Sequence, residues 1–521
     1  MPDTGPGHVN TTRGSWIEAD AILASTPSTA ETMNSCTPLP FFLFSLALAF
    51  ATGRAEAGSE KPNFILCMAD DQGWGDVGYA KGSIARTPVL DEMAASGLRF
   101  DRFYAAHPVC SPTRGSVLTG RNPNRYGCFS WGHSIRPEEI TIAEALKQAG
   151  YTTGHFGKWH VGSVDPRSDV NPGASGFDRW FSSPNFYDND PLMSDNGTVV
   201  ETRGESSVVT MEAAIEFIRD CHRKEEPFLA VVWFGSPHNP HEAIPEDRAP
   251  FANKEEKLQH YYGEILGIDR SMGMLRRAMR ELGLAENTLL WYTSDNGPQG
   301  PKDRGIPGSS GGLRDRKGTV WEGGIRVPTI IEWPARIPEP RITNVTCNSS
   351  DIYPTLLAVA GLETGTEQPV LDGINLLPLI EGKMSTRPEP MGFWHFPSRG
   401  TGMKSRAILA AQREAQRRGE PLPLHNDPES RSTRISEALA ALSSKRFSGH
   451  AAWIDGRFKL HRIPGAPNGE VAYELYDLAE DAAETKNLAD EMPARAETMR
   501  DALRDWQESV VRSLEGDDYV E

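Results

Sequence analysis

Four short runs, each ending in a polar cluster, constrain the fold of this chain more than any other feature. Asn63–Ala69 is apolar after its first residue, as a strand buried on both faces must be. Similar runs occupy residues 150–156, 228–234 and 288–293, with helix-like stretches such as 141–149 and 208–224 between them. Strands alternating with helices predict an α/β fold, a mostly parallel sheet flanked by helices on both faces. The runs end in Asp70-Asp71, in Gly157-Lys158-Trp159-His160, in Ser236-Pro237-His238 and in Ser294-Asp295-Asn296-Gly297. Ligands of open α/β sheets bind at the carboxyl ends of the strands. The four clusters are therefore expected to meet in one place.

The chain has 521 residues, 38% of them hydrophobic, which suits one large α/β unit with a smaller appendage. Its net charge of −17 is opposite to that of a nucleic-acid binder, so no nucleic-acid partner is expected. An anionic substrate would need a local basic cluster in this acidic background. Residues 1–38 are polar and rich in Ser, Thr, Pro and Gly, and read as disordered. The apolar run 41–51, followed by Ala55-Glu56-Ala57, has the form of a signal-peptide core and cleavage site. It is too short to cross a bilayer comfortably, so no stable membrane span is expected. Export to a periplasmic or extracellular location follows, with Met33 as a candidate start. Residues 33–40 carry no Lys or Arg, and a buried helix ahead of the first strand is the competing reading. Five cysteines lie beyond residue 57 (Cys67, Cys110, Cys128, Cys221 and Cys347), an odd number that leaves at least one thiol unpaired or chemically altered.

The texture changes after residue 379. Residues 400–446 are rich in Arg, Ala and Glu, with a Pro-rich break at 421–423, and read as an inserted helical segment, a pair of helices, or as a mobile excursion. Strand-like stretches follow at 451–460, with a turn at Asp455-Gly456, and at 473–478, and a helix over about 493–514 closes the chain. The expected organisation is an extension with signal peptide over 1–57, a catalytic unit over 58–385, and a smaller α+β unit over 386–521 built on a small antiparallel sheet and a helix.

Asp70, Asp71, Asp295 and Asn296 are all oxygen donors, and oxygen-only shells suit hard cations, Ca²⁺ or Mg²⁺. Adjacent carboxylates repel unless a cation lies between them, although Asp70-Asp71 taken alone also reads as a solvated turn. In Cys110-Ser111-Pro112-Thr113-Arg114, Pro112 looks like the first turn of a helix. Cys110 then sits at a helix N-terminus, where developing negative charge is stabilised. It reads as an activated thiolate nucleophile, as a Cys modified into something else, or as a buried Cys beginning a core helix. Lys158 and His160 alone would pass for a surface turn, and Lys317 for part of a solvated basic loop.

The stretch 110–120 resembles the sulfatase signature, Cys-x-Pro-x-Arg followed by a short helix and a Gly, and 150–160 resembles the second signature of that family. Residues 69–76, 236–241, 294–297 and 313–328 resemble further blocks in the family's order, so the likeness runs from about residue 61 to 382 and more weakly to about 490. The resemblance implies a type I, formylglycine-dependent sulfatase, arylsulfatase-like, with the alkaline-phosphatase-like fold. It implies that Cys110 is oxidised to formylglycine by a separate formylglycine-generating enzyme, and that the aldehyde hydrates to a diol. One hydroxyl would attack sulfur, and loss of the second hydroxyl's proton, to His160, would expel sulfate. By the same resemblance Asp70, Asp71, Asp295, Asn296 and residue 110 would hold the cation, usually Ca²⁺. Arg114 and His160 would position and ionise the diol. Lys158 and Lys317 would bind sulfate oxygens, and His238 would help protonate the leaving oxygen. The expected substrate is a sulfated carbohydrate or an aryl sulfate.

The rival readings are a phosphate or phosphonate monoester hydrolase on the same fold, a catalytically silent glycan-binding protein, and a hydrolase using unmodified Cys110. His241, Trp394 and His395 read as pocket-lining or structural. Asn185 and Asp188 lie in a loop where such enzymes contact substrate. The basic stretch 400–446 reads as a solvated helical face, with polyanion binding as the sharper alternative.

Overall fold

Sixteen strands form three sheets in the computed structural model, which describes residues 61–300, 304–363, 365, 368–421, 427–445, 447–465 and 470–519. They are β1 (Asn63–Ala69), β2 (Leu98–Phe100), β3 (Phe103–Tyr104), β4 (Thr152–Lys158), β5 (Arg179–Ser183), β6 (Leu192–Asp195), β7 (Thr198–Glu201), β8 (Phe228–Trp233), β9 (Thr288–Ser294), β10 (Thr329–Glu332), β11 (Arg341–Thr343), β12 (Cys347–Asn348), β13 (Met391–His395), β14 (His450–Asp455), β15 (Phe458–Ile463) and β16 (Ala472–Asp477). The expected N-terminal extension and signal peptide lie outside the described residues.

The large sheet has ten strands in the order β11-β2-β10-β9-β1-β8-β4-β5-β6-β7. Its centre, β9-β1-β8-β4-β5, is parallel, and antiparallel pairs flank it. The α/β expectation holds for a physical reason visible along β1. Phe64, Leu66 and Met68 enter the core on one face, and Ile65, Cys67 and Ala69 enter the core on the other. A strand covered on both sides cannot alternate with polar residues. The helices Ser206–Lys224 and Glu256–Glu281 supply one face, through residues such as Ile218 and Met272. The helix Cys110–Thr119 contributes Val117 and Leu118 to the other.

The second run begins as a strand at Thr152 and continues to Lys158, because Gly150 turns the chain at φ 75°. The helix before it, Ile142–Gln148, starts at a capping box in which Thr141 and Glu144 satisfy each other's backbone N–H groups.

The small sheet, β13-β14-β15-β16, is antiparallel, and the C-terminal helix Pro493–Glu515 covers it, with Trp506 against Gly392 and Trp453. The inserted segment folds into the helices Ser405–Arg418 and Pro428–Lys445. The first docks on the β6–β7 hairpin: Gln416 accepts from the Val199 N–H (3.2 Å) and donates to the Gly197 carbonyl (2.6 Å), and Arg413 pairs with Glu201. The second is tied down by Arg431 to Asp169 and by Arg434 to the Gly127 carbonyl (3.1 Å). The described residues, all of them beyond residue 60, form one compact unit. No described helix is long and apolar enough to cross a membrane.

Candidate active site

The carboxyl ends of β1, β8 and β9 are laced together by main-chain bonds. Asp70 N–H donates to the Ser236 carbonyl (3.0 Å), and Asp295 N–H to the Ala69 carbonyl (3.2 Å). That lacing brings the polar clusters into contact. Asp71, held at φ 67°, donates its N–H to Asp295 Oδ1 (3.0 Å) and accepts at Oδ1 from Asn296 Nδ2 (2.7 Å) and from Lys317 Nζ. Lys158, the last residue of β4, donates to Asp70 Oδ2 (2.6 Å). The preceding Gly157 lies at φ 97°, and a Cβ there would collide with the Trp233 carbonyl, so glycine is what lets β4 deliver Lys158 so close to β8.

Cys110 is the first residue of its helix and is buried. One turn on, Arg114 donates to Asp295 Oδ2 (2.8 Å) and to the Lys158 carbonyl (3.3 Å), lies 3.8 Å from Asp70 Oδ1, and rests 5.2 Å from the Trp233 ring centre. His160, at φ 58°, is buried with no hydrogen-bond partner for either ring nitrogen. His238 stands at the mouth with Nε2 3.7 Å from Asp71 Oδ2, its Nδ1 against the Asn239 carbonyl (2.7 Å) and its ring stacked on Phe186 at 4.3 Å. The Lys317 segment is tied to both sides of the site, by Lys317 N–H to the Pro298 carbonyl (3.2 Å) and by Gly318 N–H to the Pro108 carbonyl (2.9 Å).

Burial raises the Asp70 and Asp71 carboxyls, but Lys158 and His238 at the first, and Lys317 and His238 at the second, outweigh it and hold both below the ordinary carboxylate range. Burial and the neighbouring Asp70 push Asp295 up despite Arg114. Burial pushes the Cys110 thiol up against the pull of Lys158 and Lys317, an environment that suits a thiol better than a thiolate. Burial, with Lys158 and Arg114 adding to it, keeps the His160 ring neutral.

Asp70 Oδ1, Asp71 Oδ2 and Asn296 Oδ1 are buried oxygens with no hydrogen-bond partner. Orphaned acceptors of this kind are costly unless something positive meets them, and a hard cation fits three oxygen donors. Asp70, Asp71 and His238 can offer ligand atoms within 4.8 Å of one another. Asp295 meets Arg114 through Oδ2 and the Asp71 N–H through Oδ1, and each oxygen keeps a further lone pair. The three aspartates are formally balanced by Arg114, Lys158 and Lys317. A divalent cation would leave two positive charges in excess, suited to an anionic substrate.

The remaining residues singled out from sequence lie around this centre. Trp394 is core, with Nε1 donating to the Ser448 carbonyl (2.8 Å). His395 faces His107 at 5.4 Å, and His241 faces Glu264 at 3.5 Å. Asn185 is buried and holds the start of the inserted segment, while Asp188 is half-buried. Sequence reasoning missed Phe186 behind His238. It also missed Glu322 and Glu484, which anchor the Lys317 loop through the Glu322 N–H to Glu484 Oε2 bond (2.7 Å).

The sulfatase family profile matches residues 62–362. The chain is 34% identical over 396 residues to N-acetylgalactosamine-6-sulfatase of Mus musculus, covering 68% of this chain and 73% of the mouse protein. It is 34% identical over 391 residues to arylsulfatase A of Homo sapiens, covering 67% and 73%. Its fold is similar to that of Ps i-CgsB, solved in complex with k-i-k-neocarrahexaose, with a TM-score of 0.70 at 24% identity over 86% of this chain and 92% of that one.

Proposed function

From the premise that this chain belongs to the sulfatase family and hydrolyses sulfate esters, we propose that it desulfates a carbohydrate using a divalent cation and a formylglycine made from Cys110. The observation that carries this reading is the set of orphaned oxygens on Asp70, Asp71 and Asn296 beside Lys158 and Lys317 at the ends of the central strands. Asp70, Asp71, Asp295, Asn296 and residue 110 would hold the cation, Ca²⁺ or alternatively Mg²⁺. The cation would supply Lewis-acid polarisation of the sulfate, and formylglycine the attacking hydroxyl.

The chain's own residues do the rest. The ammonium groups of Lys158 and Lys317 neutralise sulfate oxygens as charge shifts onto them. Arg114, fixed between Asp295 and Trp233, orients residue 110 one turn away. A carbonyl can only accept, so His238 Nδ1 must donate to Asn239, and Nε2 is the nitrogen that faces the site. With Nδ1–H committed to Asn239, Nε2 carries a proton only in the imidazolium form, which burial opposes and the Asp70 and Asp71 carboxylates favour, and from that form the Nε2 proton goes to the departing alkoxide oxygen. The neutral His160 ring, with no partner at either nitrogen, accepts the proton released from the hydroxyl at residue 110. Maturation by a formylglycine-generating enzyme and export behind the 41–51 run complete the proposal, together with a division of the chain near residue 385.

The test is sulfate release by protein co-expressed with a formylglycine-generating enzyme, with conversion of Cys110 verified by mass. Sulfated sugars and an aryl sulfate should release sulfate, and matched phosphate esters should not release phosphate. Phosphate release alone would replace this reading with the phosphohydrolase, and inertness toward every ester with retained sugar binding would replace it with a silent glycan binder.

Cation binding has its own readout. Ca²⁺ at a hundred times its dissociation constant should stabilise the folded protein by about 2.7 kcal/mol, seen as a rise in melting temperature that a chelator reverses. Asp71→Asn should abolish the rise. A rise of equal size in the variant would remove Asp71 from the cation site, and a parallel titration with Mg²⁺ ranks the two ions.

A further inference from the structure

The Phe186 ring that stacks on His238 is also a wall of a pocket of about 250 Å³. Asp188 and Pro240 line it from the catalytic side, and Lys404 and Arg406 from the inserted segment. The insertion is pinned at this point. Buried Asn185 donates from Nδ2 to the Met403 carbonyl (2.9 Å) and from its N–H to Ser405 Oγ (3.0 Å), bracketing Lys404. Ser405 then begins the helix that docks on β6–β7. Lys404 is therefore held at the pocket on both sides, while its exposed ammonium has no hydrogen-bond or ion-pair partner among the described residues. Arg406 is partly committed, donating to the Asp190 carbonyl (3.0 Å).

We infer that this pocket is the subsite for the leaving sugar, and that Lys404 selects substrates carrying an anionic substituent beyond the scissile sulfate. The inference rests on the carbohydrate reading above. His238 Nε2 faces the leaving oxygen, so the departing alcohol lies on the His238 side of the site, and the Phe186 ring leads from there into the pocket. The apolar faces of Phe186 and Pro240 suit the C–H face of a pyranose. The Asp188 carboxylate can accept hydrogen bonds from sugar hydroxyls. The unpaired ammonium of Lys404 calls for a carboxylate or a second sulfate. In this arrangement the insertion, absent from the central α/β scaffold, is a specificity element rather than a solvated ornament.

The test separates this subsite from the chemistry. Binding is measured by calorimetry on Cys110→Ala protein, which cannot turn substrate over. The ligands are a sulfated N-acetylhexosamine–uronate disaccharide, its carboxyl-reduced counterpart, and a carboxyl-reduced disaccharide bearing two sulfates. Adding Lys404→Ala or Lys404→Gln should weaken the uronate or the doubly sulfated ligand about tenfold, the order of one charge-assisted contact. The carboxyl-reduced monosulfate should be unaffected, and whichever anion responds identifies the contact. Equal weakening of all three ligands, no weakening of any, or no binding of any disaccharide would overturn the inference. Turnover of an aryl sulfate by matured protein with Lys404→Ala should match that of the parent. If the parent itself fails on aryl and sugar sulfates alike, it is the sulfatase mechanism that falls, and the binding result still judges the pocket.

Discussion

Matured protein carrying Cys110→Ala is expected to lose sulfate release by about 10⁴-fold or more, the scale on which loss of a covalent nucleophile acts. Cys110 opens the helix Cys110–Thr119 amid Asp70, Asp295, Lys158 and Lys317, whose charges all act on its thiol. Alanine removes the nucleophile while leaving those partners paired with one another, so folding and the Ca²⁺-dependent rise in melting temperature should largely persist. Cys110→Ser makes a sharper comparison. A serine hydroxyl can attack sulfur and displace the alcohol, but it has no second hydroxyl through which to expel sulfate. The serine variant should release alcohol in a single turnover and then carry one SO₃ group on residue 110 by intact mass. Steady turnover by unmodified serine or by unmodified Cys110 would mean that the chemistry needs no formylglycine. Inhibition of the active protein by thiol alkylation at residue 110 would mean the same.

Much of this centre was legible in the sequence because the parallel strand is a strict device. It needs an apolar run, and it places whatever follows that run at one edge of the sheet. Asp70, Lys158, His238 and Asp295 each follow such a run or end it, and the register β9-β1-β8-β4 brings them together. Lys317 follows no strand, and only the likeness to a family singled it out. β13 was not legible. Its partner β14 lies beyond the inserted segment, so no hairpin turn joins them, and Pro388, Pro390 and Pro397 disguise the run as a loop. Phe186 could not be tied to His238, because ring stacking between distant loops leaves no periodic trace. The docking of the helix Ser405–Arg418 was hidden for a related reason. Gln412, Arg413 and Gln416 look like a solvated face until the β6–β7 hairpin is laid against them.

The buried charges of β15 were the least legible feature, and they carry the second large prediction. Lys459 and His461 alternate with apolar residues, as the outward face of a half-exposed strand would, yet both are fully buried. Lys459 Nζ lies 2.9 Å from Glu322 Oε1 and 3.0 Å from Glu484 Oε1, and His461 Nε2 lies 2.6 Å from the same Glu484 oxygen. Tyr104 donates to Glu322 (3.2 Å). Burial works against the Lys459 charge, and the two carboxylates overcome it and raise its affinity for the proton. Lys459→Met keeps most of the side-chain volume and leaves two buried carboxylates short of a cation. It should cost about 3–5 kcal/mol of stability, the range for breaking a buried ion pair from one side, measured as a shift in denaturant or thermal midpoint. Adding Glu322→Gln and Glu484→Gln should recover part of that loss, because neutral groups tolerate burial better than unpaired charges. If the triple variant is less stable than Lys459→Met, the cost came from lost packing and hydrogen bonds rather than stranded charge. The same substitution reaches the active site. Glu484 accepts the Glu322 N–H and its carbonyl accepts from Arg314 (3.1 Å), so the segment between Arg314 and Glu322, which carries Lys317, is clamped to the small sheet. A Lys459→Met protein that still folds should therefore release sulfate more slowly at saturating substrate. Unchanged turnover would show that the ties of the Lys317 segment to Pro108 and Pro298 hold that lysine without help from the small sheet.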